Sequence, residues 1–104
     1  MSELAEKVKR AAARRVRPGS VKIGGETFFF DFRVYPAAEL GAIIDKLRRS
    51  DTATAAGLLA QNVLDPSDGR PVFTAPELEE LPNCDLVKLT SAFFEVNNGG
   101  PEKN

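Results

Sequence analysis

The chain has 104 residues, 42% of them hydrophobic, with 14 basic against 15 acidic side chains and no histidine. That length suits one domain with a modest core, in which folding buries roughly 60–70% of the unfolded surface. No apolar run nears the ~20 residues of a membrane span, and the missing histidine removes the commonest general base and the commonest metal ligand. Charge is unevenly placed: residues 1–17 carry six basic and two acidic groups, net +4, and residues 18–104 carry eight and thirteen, net −5.

Residues 1–17 read as a basic arm. Leu4, Val8, Ala12 and Val16 fall at helical spacing and predict a helix over 2–16 with one thin apolar stripe. A helix this short is marginal in water and is expected to fray unless it docks. The segment lacks the uninterrupted apolar stretch of a signal peptide. Arg17-Pro18-Gly19-Ser20 reads as a breaker, so the globular domain is expected over 18–98, with a flexible tail over 99–104. Two strands follow, Val21–Ile23 and Thr27–Tyr35, joined at Gly24-Gly25, where both positions tolerate positive φ. Alternation puts Phe28, Phe30, Phe32 and Val34 on a core face and Phe29, Asp31, Arg33 and Tyr35 on the other. Phe29 and Tyr35 then need either a covering helix or a subunit or client contact.

Pro36 suits a helix start, and Leu40, Ile43, Ile44 and Leu47 form the sharpest helical pattern in the chain. Ser50 or Asp51 can cap the next helix, expected over Thr52–Leu64, with Ala55, Ala56, Leu59 and Val63 on its apolar face. Asp65-Pro66-Ser67-Asp68-Gly69-Arg70-Pro71 is a turn by composition. Val72-Phe73 reads as a short, buried, extended pair. Thr74 and Glu77 fit a capping box that opens a short helix presenting Leu78 and Leu81, which Pro82 ends. Asn83 or Asp85 is then expected to cap a last helix, with Leu86, Leu89, Phe93 and Val96 as its core stripe, Phe94 beside it, and Asn98-Gly99 as its stop. The expected fold class is α+β and helix-dominated: an N-terminal β-hairpin followed by three to four helices, preceded by the basic arm.

The residues that could carry chemistry read as structural. Cys84 is the one cysteine, which precludes an internal disulfide and suits a reducing cytoplasm. A helix N-terminus could lower its thiol pKa, but without a basic partner it reads as an ordinary half-buried thiol. Counted from Asp65, Gly69 is fifth and Pro76 twelfth, whereas a calcium loop of the EF-hand type needs glycine sixth and glutamate twelfth. Gly24-Gly25 lacks the third glycine and the lysine of a phosphate loop. Glu77, Glu79 and Glu80 have nothing beside them to separate their pKa values and read as a solvated face. No catalytic residue, cofactor or metal site is therefore expected, and the chain is expected not to be an enzyme. The basic arm could contact nucleic acid, but it has no interleaved aromatics and the chain's pI is about 5.5. An acidic face of another subunit is an alternative partner for it.

The run Leu58-Leu59-Ala60-Gln61-Asn62-Val63-Leu64-Asp65-Pro66-Ser67-Asp68-Gly69-Arg70-Pro71-Val72-Phe73-Thr74 continues through Glu77, Leu81-Pro82 and a last helix ending at Glu95-Val96-Asn97. In order and spacing it resembles the tail assembly chaperones of long-tailed bacteriophages, and with the hairpin the resemblance covers about residues 21–98. It implies a protein of the bacterial host's cytoplasm, absent from the finished virion. Such a protein binds the tape measure protein, keeps it soluble and helps the tail tube protein assemble around it, without covalent chemistry or cofactor. It also implies association with its own copies or with a frameshift-extended form. Asp65, Gly69, Phe73, Thr74 and Glu77 look architectural in this light. Phe29, Tyr35 and Phe94 are the candidate interface, on grounds of the residues alone. Two other classes compete: a small nucleic-acid-associated regulator using the basic arm, and a minor head–tail or tail completion protein.

Overall fold

Gly24 and Gly25 have φ of 61° and 83°, the pair of positive values that a type I′ hairpin turn requires. The turn sets strand β1 (Val16–Ile23) against β2 (Glu26–Arg33), from Ile23 opposite Glu26 to Val16 opposite Arg33. A short third strand, β3 (Val63–Leu64), pairs antiparallel on the far side of β2, with Phe32 opposite Val63. The helices are α1 (Glu3–Ala12), α2 (Ala37–Arg49), α3 (Thr52–Asn62), α4 (Ala75–Glu79) and α5 (Asn83–Asn97). This computed structural model describes residues 2–12, 15–49 and 51–98; the tail expected over 99–104 lies outside them. The class is α+β and helix-dominated, with a three-stranded antiparallel sheet in place of a bare hairpin.

The expected break at Arg17–Ser20 is strand instead, and Val16, expected in the first helix, belongs to β1. Two local features make this possible. The Val34 N–H donates to the Arg15 carbonyl at 2.9 Å, so the odd-numbered positions of β1 turn their backbone groups toward β2. Pro18 therefore sits at an outward position of an edge strand, where its missing N–H costs no ladder bond. Gly19 lies directly beneath the core: a Cβ there would stand 2.8 Å from Phe32 Cε2 and 2.9 Å from Val96 Cγ2. Glycine lets the Phe32 ring and α5 close onto the strand.

The core joins Val21, Phe30 and Phe32 of the sheet to Ala56, Leu59 and Val63, to Leu78 of α4, and to Leu86, Leu89, Ala92, Phe93 and Val96 of α5. Phe30 and Phe32 meet edge to face, ring centres 6.1 Å apart, a favoured aromatic geometry. Phe28, expected inside, is 38% exposed near the turn end of β2. Leu40, Ile43, Ile44 and Leu47 of α2 are all only half-buried.

Capping decides where the helices begin. Asp51 accepts a hydrogen bond from the Thr54 N–H at 3.0 Å at the start of α3. That bond, made to the charged form, lowers the Asp51 pKa below the usual aspartate value. α3 stops at Asn62, short of the expected Leu64, because Val63 and Leu64 pair with β2. At α5 neither Asn83 nor Asp85 caps. Pro82 holds that position without a side-chain bond, and its carbonyl accepts from the Asp85 and Leu86 N–H groups at 2.9 and 3.1 Å. Cys84 is exposed rather than half-buried. Val72 is exposed and Phe73 half-buried, so that pair is less enclosed than its composition suggests.

Candidate interaction surface

Tyr35 and Phe29 part company where β2 ends. The strand stops at Arg33, so strict alternation no longer governs residue 35. The Tyr35 N–H donates to Asn97 Oδ1 at 3.0 Å, and its hydroxyl donates to Asn62 Oδ1. Its ring meets Phe93 edge to face at 6.3 Å. Asn62, the buried polar residue of this core, also donates to the Leu58 carbonyl at 2.6 Å. Asn97 donates to the carbonyls of Arg33 and Phe93, each at 3.0 Å. Arg33 Nε donates to the Gln61 carbonyl at 2.9 Å. These bonds tie the exit of β2 to the C-terminal ends of α3 and α5 and satisfy polar groups that burial would otherwise penalise. Sequence reasoning missed Asn62 and Asn97 here; an asparagine near an apolar helical stripe was the available signal.

Phe29 stays out, 71% exposed. Opposite Ser20 on the outer face of the hairpin, it borders a shallow concavity of about 340 Å³ with Pro18, Ser20, Ala92, Glu95 and Val96. Among the described residues that line it, Glu95 is the one ionisable side chain. A second concavity, of about 440 Å³, continues along the same seam past Lys22, Val87 and Lys88, sharing Ser20, Ala92 and Glu95 with the first. At that end Lys88 Nζ donates to the Lys22 carbonyl at 3.1 Å and lies 3.9 Å from Asp85 Oδ1. With Pro18, this lysine blunts β1 as an edge open to further strands. The seam between β1 and α5 is thus suited to side-chain packing rather than to strand addition. Phe94, the third candidate interface residue, is half-buried beside Phe93, ring centres 5.7 Å apart.

The turn and cap residues lie elsewhere, around α4. The Asp65 carboxylate accepts from the Ser67 hydroxyl at 2.7 Å and from its N–H at 2.8 Å, and these bonds lower its pKa. Gly69 has φ 74°, and its N–H donates to the Asp65 carbonyl at 2.8 Å. Phe73 packs its ring 6.1 Å from Phe30. Thr74 and Glu77 form a reciprocal capping box, with Glu77 Oε1 accepting from the Thr74 N–H at 2.8 Å and Thr74 Oγ1 from the Glu77 N–H at 3.3 Å. These five residues build a turn and a helix start and do not reach the seam.

A second apolar surface lies on α1. Leu4 and Val8 share one face and are 71% and 57% exposed. Acidic residues occupy the first turn of this helix and basic ones its last turn, Lys9 and Arg10 among them, the arrangement that complements the helix dipole. Among the described residues no group of three or more His, Cys, Asp or Glu side chains is placed to hold a metal. No helix among them is long and apolar enough to cross a membrane. Comparison of the chain with protein-family models, with curated proteins and with solved structures finds no match.

Proposed function

We propose that this chain is a tail assembly chaperone of a long-tailed phage, which binds and solubilises the tape measure protein and promotes tail tube assembly without catalysis. The observation that carries the reading is a large aromatic left in solvent on a well-packed frame: Phe29 is 71% exposed beside a concavity that Pro18, Ala92 and Val96 also line, while Phe32 and Phe93 are sealed. A protein that holds an aggregation-prone helical client must offer apolar surface from a rigid support. Many copies along one long client gain by multivalency, so each contact can be weak. The resemblance of residues 58–74 and 77–97 to such chaperones supplies the identity of the client. On this reading the protein acts in the host cytoplasm and is left behind when the virion is complete.

Tagged protein recovered from the native host during lytic growth tests this directly. The expected eluate holds one very long, helix-rich phage protein and a C-terminally extended form of this chain, and Phe29→Ser depletes the long protein at least several-fold. Finished particles should lack the chain by mass spectrometry. An eluate of nucleic acid with no long protein would replace the chaperone with a regulator that works through the basic arm, and a chain retained in particles would make it a structural component.

A further inference from the structure

The exposed face of α1 and the seam beside Phe29 are complementary. Leu4 and Val8 lie one turn apart, and Lys7, three positions after Leu4, flanks that face. Among the described residues α1 is in none of the extensive element-to-element packings, and Leu4 and Val8 on its apolar face remain exposed. The ten residues of α1 rise about 15 Å, and the stretch of α5 that borders the seam, Val87 to Val96, is as long. Beside Phe29 the concavity is lined by Pro18, Ser20, Ala92 and Val96 with Glu95 as the charged group, while Lys22 and Lys88 line the far end of the seam. Residues 1–17 are net +4 and the remainder net −5, so arms repel one another and are drawn to bodies.

We propose that α1 of one copy lies in the β1–α5 seam of a second copy, with Leu4 and Val8 over Phe29 and Ala92 and Lys7 facing Glu95. Each copy has one arm and one seam, and in the proposed arrangement two copies exchange arms reciprocally, which closes the assembly as a two-fold dimer. The second arm then binds intramolecularly, which strengthens two small contacts without enlarging either. The arrangement stands on the arm and the seam alone and does not require the client proposed above. A helical client using the same seam would have to displace the arm.

The test uses the full chain in a Cys84→Ser background. Copies carrying Val8→Cys are mixed with copies carrying Ser20→Cys and oxidised; the expected product is a mixed disulfide dimer joining one of each. Light scattering of the unmodified chain should show mass rising from monomer to dimer with concentration. Leu4→Ser with Val8→Ser should weaken the dimer at least tenfold, and the exposure of both residues keeps the fold intact, as circular dichroism will check. Lys7→Glu and Glu95→Lys should each weaken the dimer, and the two together should restore it. A monomer at every concentration, no mixed disulfide between the two kinds of copy, a dimer indifferent to the arm substitutions, or a charge swap that fails to restore it would each overturn the proposal.

Discussion

α2 and α5 are both amphipathic helices, and the one with the sharper pattern is the less buried. Leu40, Ile43, Ile44 and Leu47 keep perfect helical spacing, yet every one remains half-exposed. In α5, Leu86, Leu89, Ala92, Phe93 and Val96 are all buried. The difference lies in what each helix meets. α5 runs across β1 and β2 and fills the space above Gly19, whereas α2 rests on the flank of α3. Periodicity decides that a helix forms and which face turns inward. Depth is decided by the partner, and the sheet gives α5 a broader one than α3 gives α2.

Truncations should expose that contrast most strongly. Phe93→Ala removes a sealed ring that touches both Tyr35 and Phe94 and should cost about 3–5 kcal/mol in urea unfolding. Ile43→Ala on α2 should cost roughly 1 kcal/mol, since only part of its surface leaves water on folding. Equal losses at the two sites would mean that α2 is as integral as α5.

Gly19→Ala sharpens the same point from the sheet side. The added methyl would meet Phe32 and Val96 at under 3 Å, forcing α5 away from β1 at a cost of about 1–3 kcal/mol. Gly57→Ala is the matched control, since nothing lies within 4 Å of a Cβ there, and it should stabilise its helix by up to about 1 kcal/mol. If both changes prove neutral, α5 does not rest on the strand as closely as its geometry indicates.

The sequence made the hairpin legible because Gly24-Gly25 is flanked by strand-forming residues and local chemistry alone fixes such a turn. It hid β3, because Val63 continues the apolar stripe of α3 and only the presence of β2 alongside turns it into a strand. Pro18-Gly19 reads locally as a break; edge position and the overlying ring, both tertiary facts, make it strand. The candidate surface divides in the same way. Phe29 lies within β2, where alternation correctly sets it opposite the core face. Tyr35 lies past the strand's end and is claimed by Asn62 and Asn97, from sites 27 and 62 residues away in sequence, which no local pattern discloses.

The smallest expected effect concerns how the helices begin, and it again separates one helix from α5. α3 starts at a titrating cap, the Asp51 carboxylate on the Thr54 N–H, whereas α5 starts at Pro82 with no side-chain bond. Hydrogen bonding holds the Asp51 pKa below the usual aspartate value in the folded chain. Its contribution is therefore fully present above the unfolded value and is lost as pH falls through the lower, folded one. Acidification through that window should weaken hydrogen-exchange protection at the start of α3, at Thr54 and Ala55, before it affects the first turn of α5. Asp51→Asn keeps an acceptor oxygen at the cap and removes the titration, so the pH dependence at Thr54 should flatten while the cap itself survives. The Asp65 turn, whose pKa is lowered by Ser67, should titrate unchanged in that variant. If Thr54 still responds to acid after the substitution, the cap is not the group that senses it, and the difference between the two helix starts has another cause.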